Sequence, residues 1–366
     1  MSAIKINIIL FGIGNVGSTL INQVLRSQKF FLEKRNIEVL FPVITTSTLA
    51  FFEKEGLKNQ WEANFAHSAI PFKIEDVIEY VKEQQLENLI AVDATASVDL
   101  IKSYIPLIQN GFNIVAANKK ANTLAYDFYE ELRENLTVFD KSFLYETNVG
   151  AGLPVVQTVR DLYFAGEKIT KIRGVFSGSL SYIFNRFSAE EISFSKILAE
   201  AEKKGYTEPD SREDLSGNDV ARKLLILARE IEQQFEFSDV EITSLLLPEL
   251  NEQNTKQEYI LSRELFDKPF RIAKITQLED HVLRYVGEVD VKSKKLVVKL
   301  ISTPKNTALG QLKGADNLIE IYTESYGEIP MVIQGAGAGK EVTARGVLND
   351  ILKIAEKIKS KELVLN

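Results

Sequence analysis

The sequence predicts an α/β chain in two parts, a doubly wound parallel sheet followed by an α+β domain, and three observations carry that expectation. Residues 4–11, IKINIILF, form an apolar β-rich run of the kind buried on both faces of a parallel sheet. A glycine loop, GIGNVG, leads from it into helical spacing over residues 16–33, and further short apolar runs alternate with helical stretches up to about residue 146. From Lys168 onward the pattern changes to strand alternation mixed with amphipathic helices, the mark of a second domain.

Gly12, Gly14 and Gly17 make G-x-G-x-x-G between a strand and a helix, the context a dinucleotide fingerprint requires. Each glycine has its own reason: a tight turn at Gly12, backbone approach to pyrophosphate at Gly14, and close helix–strand packing at Gly17. Residues 1–150 are therefore expected to be a Rossmann-type NAD(P)-binding domain. A second strand over 38–44 ends at Thr45, Thr46 and Ser47, with neither the acid that would hold the ribose hydroxyl of NAD nor an arginine for the phosphate of NADP. The preference stays open. Residues 50–80 yield no functional reading.

Asn88–Ala94 reads as a buried strand opening into Thr95-Ala96-Ser97, followed by a helix capped by Gly111. Phe112–Ala116 is the next strand and runs into Ala117-Asn118-Lys119-Lys120. A lysine there either reaches the nicotinamide crevice or is a solvated loop residue. A helix over 123–134 and a strand over 138–146 lead into ETNVGAGLPVV, in which Pro154 suits the first turn of a helix running to Ala165. Glu146 and the carbonyls of this glycine-rich loop could suit a hard cation, although such a loop is more often only a domain crossover.

The strand KITKIRGVFSG enters a helix near Gly178 and Ser179, and another helix covers 194–204. Gly205 to Lys223, GYTEPDSREDLSGNDVARK, gathers five acidic and three basic residues around a helix start. Ser216 and Asp219 are spaced as a capping box, and apolar residues from Val220 to Ile231 keep helical spacing. Asp219 and Lys223 share one helix face as an i,i+4 pair, an arrangement found in solvated salt bridges and in polarised lysines alike. The loop before them carries Tyr206, Glu208, Asp210 and Asp214 toward the same place. Residues 236–268 read as helical connectors, and Phe270–Gln277, Leu283–Val289, Lys295–Ser302, Asn317–Thr323 and Pro330–Gln334 as strands, completing a domain over 151–334. A glycine loop and amphipathic helix occupy 335–366. Gly335 lies one residue too close to the lysine for a phosphate-binding P-loop, and Glu341 stands where a metal-binding hydroxyl would, so an NTPase is rejected.

Composition narrows the chemistry. The chain has 366 residues, a formal charge of -7 and no cysteine, which removes thiolate nucleophiles, disulfides, iron–sulfur clusters and cysteine-ligated zinc. The interspersed charges argue against nucleic acid or an anionic membrane as partner. Its two histidines, His67 and His281, fall in no motif. No apolar run is long enough for a membrane span and no targeting segment is evident, so a cytoplasmic location is expected. Catalysis is left to Lys, Asp, Glu, Tyr or a cofactor.

With these segments assembled, the chain resembles the homoserine dehydrogenases. The matching blocks are GIGNVG at 12–17, NKKA at 118–121, ETNVGAGLPVV at 146–156, GVFSGSLSYIFN at 174–185, the whole of 205–223, and GAGAGKEVTARGVLNDI at 335–351. The resemblance implies reversible reduction of L-aspartate 4-semialdehyde to L-homoserine with NADPH or NADH, in the route to threonine and methionine. It makes Lys223 the general acid and base, oriented by Asp219, and sets Lys119 beside the reacting carbon and nicotinamide. Glu208 would bind the substrate's amino end, with Asp214, Tyr206 and Gly178 around it. Ile13, Asn15 and Val16, with the three fingerprint glycines, Thr95 and Gly339, would contact the cofactor, the 335–366 segment returning to the cofactor domain. Glu146 and the carbonyls of Val149, Ala151 and Leu153 would hold Na+ or K+, and the second domain's sheet would form a homodimer. On the same resemblance the chain is expected to be the short form, without an aspartate kinase or ACT domain. Ala336 stands where members often carry proline.

The chemistry agrees with that assignment. A semialdehyde accepting hydride at carbon becomes an alkoxide at oxygen, which needs a cation and a proton donor there. The oxidative direction needs a neutral lysine, and a reference pKa of about 10.4 makes alkaline pH favourable unless surroundings lower it. None of the twelve tyrosines has a lysine four residues on, so the short-chain dehydrogenase dyad is missing. A non-catalytic dinucleotide sensor would be expected to have lost Lys119, Asp219 or Lys223, and all three are present.

Overall fold

The computed structural model describes residues 3–251 and 255–365. They divide into two compact units, Met1–Gly152 with Gly339–Asn366, and Leu153–Ala338. Among the described residues no helix is long and apolar enough to cross a membrane.

The first unit runs β1 (Ile4–Phe11), α1 (Asn15–Arg35), β2 (Ile37–Thr45), β3 (Leu49–Phe52), α2 (Trp61–Ser68), β4 (Ile70–Pro71), α3 (Ile74–Glu83), β5 (Leu89–Asp93), α4 (Tyr104–Gln109), β6 (Asn113–Ala116), α5 (Tyr126–Val138) and β7 (Phe143–Leu144). Its sheet has the order β4-β3-β2-β1-β5-β6-β7, with β2, β1, β5, β6 and β7 parallel and the β3 and β4 pairings antiparallel. The chain leaves β1 toward β2 and later returns to the other side of β1 as β5. This reversal is the topological switch point, where ligands bind at the strands' carboxyl ends in such sheets. The apolar β1 is buried along nearly its whole length, which explains its continuous rather than alternating hydrophobic pattern.

The second unit begins with α6 (Val155–Phe164), β8 (Ile169–Val175), α7 (Gly178–Ala189), α8 (Phe194–Lys203), α9 (Arg212–Ser216) and α10 (Asn218–Glu230). It continues through β9 (Val240–Ile242), α11 (Pro248–Asn251), α12 (Lys256–Ser262), α13 (Asp267–Ile275), β10 (His281–Asp290), β11 (Lys295–Pro304), α14 (Ala308–Gln311), β12 (Asp316–Thr323) and β13 (Met331–Ala336). Its sheet runs β13-β12-β8-β10-β11-β9, antiparallel except for β9 beside β11. The chain then re-enters the first unit as α15 (Lys340–Leu365), whose Ala344, Val347, Leu348 and Ile351 join Leu20, Ile21 and Val24 of α1 in one core.

Four expectations are corrected. The strand expected over 270–277 is absent, residues 270–275 being the end of helix α13: Phe266 and Phe270, one turn apart, both pack on Phe194, the second stacked at 3.8 Å, and that aromatic cluster fixes α13. The strand expected over 138–146 shrinks to Phe143–Leu144, because α5 extends to Val138 and ends in a left-handed turn at Asp140, with the Lys141 N–H bonded to the Leu136 carbonyl. Val138 and Phe139 are exposed, so their apolar character did not mark a buried strand. The connector over 236–268 contains an unexpected strand, β9; residues 252–254 of it lie outside the described residues. Ser216 does not form the expected capping box: it ends α9, and after Gly217 in left-handed geometry (φ +80) α10 starts with no side-chain cap. The Ser216 hydroxyl instead accepts the Asn218 N–H at 3.2 Å.

Candidate active site

In the first unit the carboxyl ends of β1, β2 and β5 surround a cavity of about 760 Å³, lined by Gly12, Ile13, Gly14, Thr46, Ser47 and Thr95 among others. The fingerprint glycines sit where backbone approach is tight or the space beside the backbone is open. A Cβ on Gly17 would overlap the Gly12 carbonyl oxygen, so α1 and the end of β1 approach as closely as they do only with glycine there. A Cβ on Gly14 would meet nothing within 4 Å; its Cα faces open space, which is room for a pyrophosphate against the backbone. Asn15 and Val16 open α1. The residues present therefore fit a dinucleotide.

Thr95 is fixed from below. Asp93, the last residue of β5 and fully buried, accepts the Thr95 N–H at 2.8 Å and the Thr95 hydroxyl at 2.7 Å on one oxygen. Its other oxygen accepts Tyr104 Oη at 2.7 Å and Asn118 Nδ2 at 2.9 Å. Burial raises the Asp93 carboxyl above its ordinary pKa, with these four hydrogen bonds opposing the shift. Sequence reading passed over Asp93, although a carboxylate ending the otherwise apolar NLIAVDA is the signal that could have found it. Through Asn118 the same carboxylate anchors the loop that carries half-buried Lys119. Lys73, at the start of α3, also lines the cavity and was likewise missed.

Glu146 is buried at the end of the first unit. Its N–H donates to Asp350 Oδ2 at 2.8 Å, and its carboxylate lies 3.8 Å from the Lys353 ammonium, which is 3.3 Å from Asp350. Val149 and Ala151 follow in the same loop, Ala151 in a left-handed conformation (φ +53) uncommon outside glycine, whereas Leu153 opens the second unit. Gly339 (φ +122) precedes α15 in the first unit.

In the second unit α10 turns its apolar residues and Lys223 inward. Lys223 is 7% exposed, and its ammonium lies 2.6 Å from Asp219 Oδ2 and donates to the Phe176 carbonyl at 2.7 Å. The lysine of this pair is buried, whereas the Asp219 side chain is 49% exposed. The Phe176 carbonyl also accepts Asn317 Nδ2 at 3.2 Å; Asn317 is fully buried, and its Oδ1 has no hydrogen-bond partner. No sequence signal marked Asn317 or the Phe176 carbonyl.

The acidic loop is sorted by its bonds. Asp214 Oδ1 accepts the Ser179 hydroxyl at 2.6 Å and Oδ2 accepts the Glu208 N–H at 2.9 Å, so Asp214 holds the backbone that carries the exposed Glu208 carboxylate. Burial raises the Asp214 carboxyl above its usual range; those hydrogen bonds oppose the rise, and the negative charges of Glu208 and Asp219 add to it. Asp210 is engaged by Arg212 at 2.6 Å, which lowers its pKa and takes it out of the cluster. Tyr206 stacks on Tyr182 with ring centroids 4.4 Å apart. Gly178 begins α7 behind a Ser177 cap, and a Cβ there would sit 3.1 Å from the Ala315 carbonyl oxygen. A buried lysine held by a carboxylate and a carbonyl, beside further carboxylates, is equipped to exchange a proton with a substrate that carries a cationic end.

Comparisons with known proteins identify the family. Residues 154–352 match the family model for homoserine dehydrogenase, and residues 12–146 that for the homoserine dehydrogenase NAD-binding domain. The chain is similar to homoserine dehydrogenase of Saccharomyces cerevisiae, 35% identical over 98% of this chain and 100% of that one. It is 38% identical to the bifunctional aspartokinase/homoserine dehydrogenase of Haemophilus influenzae over 95% of this chain and 42% of that protein. The chain thus spans about two fifths of the length of its bifunctional relatives. Among solved structures, a Candida auris protein of unknown function superposes with a TM-score of 0.89 at 33% identity, covering 97% of this chain and 99% of that one. Homoserine dehydrogenase of Thermoplasma acidophilum shares the fold with a TM-score of 0.72 at 23% identity, covering 96% of this chain and 100% of that one.

Proposed function

The chain belongs to the homoserine dehydrogenase family, and from that premise we propose that it catalyses the reversible NAD(P)H-dependent reduction of L-aspartate 4-semialdehyde to L-homoserine. The observation that carries the reading is the buried Lys223 ammonium held between Asp219 and the Phe176 carbonyl. When bound, the nicotinamide supplies a hydride to the aldehyde carbon, or takes it back.

The chain's own residues do the rest. Lys223 delivers a proton to the aldehyde oxygen as negative charge develops there, and in reverse takes the hydroxyl proton of homoserine. Asp219 keeps the ammonium in place. Glu208 binds the substrate's ammonium, with Asp214 fixing the Glu208 backbone and Tyr206 and Gly178 shaping the pocket. Lys119 adds positive charge beside the nicotinamide and reacting carbon. Gly12 to Gly17, Thr95 and Gly339 hold the dinucleotide. We assign residues 1–150 to cofactor binding, with 335–366 returning to it, and 151–334 to substrate binding and dimerisation. The test follows the near-ultraviolet absorbance of reduced nicotinamide with aspartate 4-semialdehyde, comparing NADPH with NADH. Semialdehyde-dependent oxidation supports the reading; binding of both cofactors with no turnover overturns it.

Two finer proposals accompany it. Glu146, with the carbonyls of Val149, Ala151 and Leu153, holds Na+ or K+; support comes from the buried Glu146 carboxylate. Activity and melting temperature in sodium or potassium chloride should exceed those in tetramethylammonium chloride, and the difference should vanish in Glu146→Gln. Equal values in all three salts reject the cation. The protein is a homodimer, and sedimentation velocity showing only monomer at assay concentration rejects that.

A further inference from the structure

The cavity at the switch point has an unusual charge arrangement where the two coenzymes differ. NAD and NADP are distinguished by a phosphate on the adenosine ribose, which lies near the end of the second strand in this class of sheet. Here that end is Thr45, Thr46 and Ser47, with no carboxylate to repel a phosphate. The antiparallel excursion through β3 and β4 brings the chain back to the same cavity at Lys73, immediately before α3.

Lys73 is not there for the helix. It occupies the N-cap, where serine, threonine, aspartate or asparagine would satisfy the first-turn N–H groups, and it makes no side-chain cap hydrogen bond. Only its backbone takes part, donating to Asp76 Oδ2 at 2.7 Å. Its exposed ammonium forms no ion pair with any described residue. The other charged residue among those lining the cavity, Asp99, is already paired with Lys102 at 2.7 Å. The cavity therefore presents, beside its hydroxyl groups, a lysine ammonium that no described carboxylate pairs.

We propose that Lys73 binds the 2′-phosphate of NADP and is the residue that makes this cavity prefer NADP over NAD. The inference rests on the dinucleotide reading given above. A lysine ammonium facing a phosphate forms a charge-assisted hydrogen bond, which NAD cannot offer at that position.

The experiment has two arms on the full chain. In the first, calorimetric titration compares adenosine 2′,5′-bisphosphate with adenosine 5′-monophosphate, in the wild type and in Lys73→Met. The bisphosphate should bind about 10- to 100-fold more tightly to the wild type, and the advantage should disappear in Lys73→Met. In the second, the NADPH-to-NADH ratio of kcat/KM should fall by a similar factor in the variant. A bisphosphate advantage that survives Lys73→Met overturns the inference, as does a wild type that favours NADH. Because the first arm needs no turnover, a protein that fails to reduce the semialdehyde but passes this arm loses the proposed reaction and keeps the role of Lys73.

Discussion

Asp93 and Thr95 are joined twice, the Thr95 N–H and hydroxyl both donating to a single oxygen of the Asp93 carboxylate at 2.8 and 2.7 Å. In Asp93→Asn one amide nitrogen must face either this pair or the Tyr104 and Asn118 donors, leaving buried donors without an acceptor. Denaturant unfolding should show a loss of about 1–3 kcal/mol per orphaned group, with weakened dinucleotide binding as the Thr95 turn loosens.

The same carboxylate gives stability a pH dependence of known sign. Its folded pKa is raised above the unfolded value near 3.8, so between the two values the native state binds more protons. The Asp93 contribution is full below the unfolded pKa and is lost as pH rises through the raised folded value. Unfolding free energies measured across acidic pH should contain this decline in the wild type and lack it in Asp93→Asn.

Lys223→Ala should lower kcat by roughly 10²- to 10⁴-fold, the usual worth of a placed general acid. Circular dichroism and melting should show the fold retained. Asp219→Asn keeps the Phe176 carbonyl contact and should lose less. Normal turnover in Lys223→Ala would remove Lys223 from the mechanism.

Gly17→Ala places a methyl group on the Gly12 carbonyl oxygen, so the turn between β1 and α1 must open. Dinucleotide affinity measured by fluorescence titration should drop at least about tenfold, one such factor being 1.4 kcal/mol. Retained affinity would show that the close approach can relax at little cost.

Phe270→Ala removes a ring stacked on Phe194 and touching Phe184, Phe187 and Phe266. A loss of about 3–5 kcal/mol is expected in chemical unfolding. A loss below about 1 kcal/mol would mean that the cluster does not hold α13.

The parts legible in the sequence were those governed by local rules. The fingerprint glycines lie at the turn from β1 into the first turn of α1 because their spacing answers to backbone geometry alone, and Asp219 and Lys223 pair because helical periodicity puts them on one face. Where a distant partner decides, the sequence was silent or misleading. FRIAKITQ alternates like a strand, yet Phe194 draws Phe270 into a helix. Ser216 has the spacing of a cap, yet it closes one helix instead of opening the next. Asn317 reaches the Phe176 carbonyl through pairing of β12 with β8, and Lys223 of α10 donates to the same carbonyl, contacts that no local pattern announces. Lys73 is placed by the pairing of β3 and β4, in a stretch that yielded no function when read by itself.

The packing of α15 on α1 also sets an order of events on the ribosome. β1 and α1 are synthesised first, but the apolar residues that cover α1 in the finished core, Ala344, Val347, Leu348 and Ile351, are made after every strand of both sheets has emerged. The first unit therefore waits for the residues of α15 that pack with Leu20, Ile21 and Val24 while the whole second unit is translated. The core of the cofactor-binding unit is thus closed by a segment made after the second unit, so it is the arrival of α15, rather than emergence of the first sheet, that completes it.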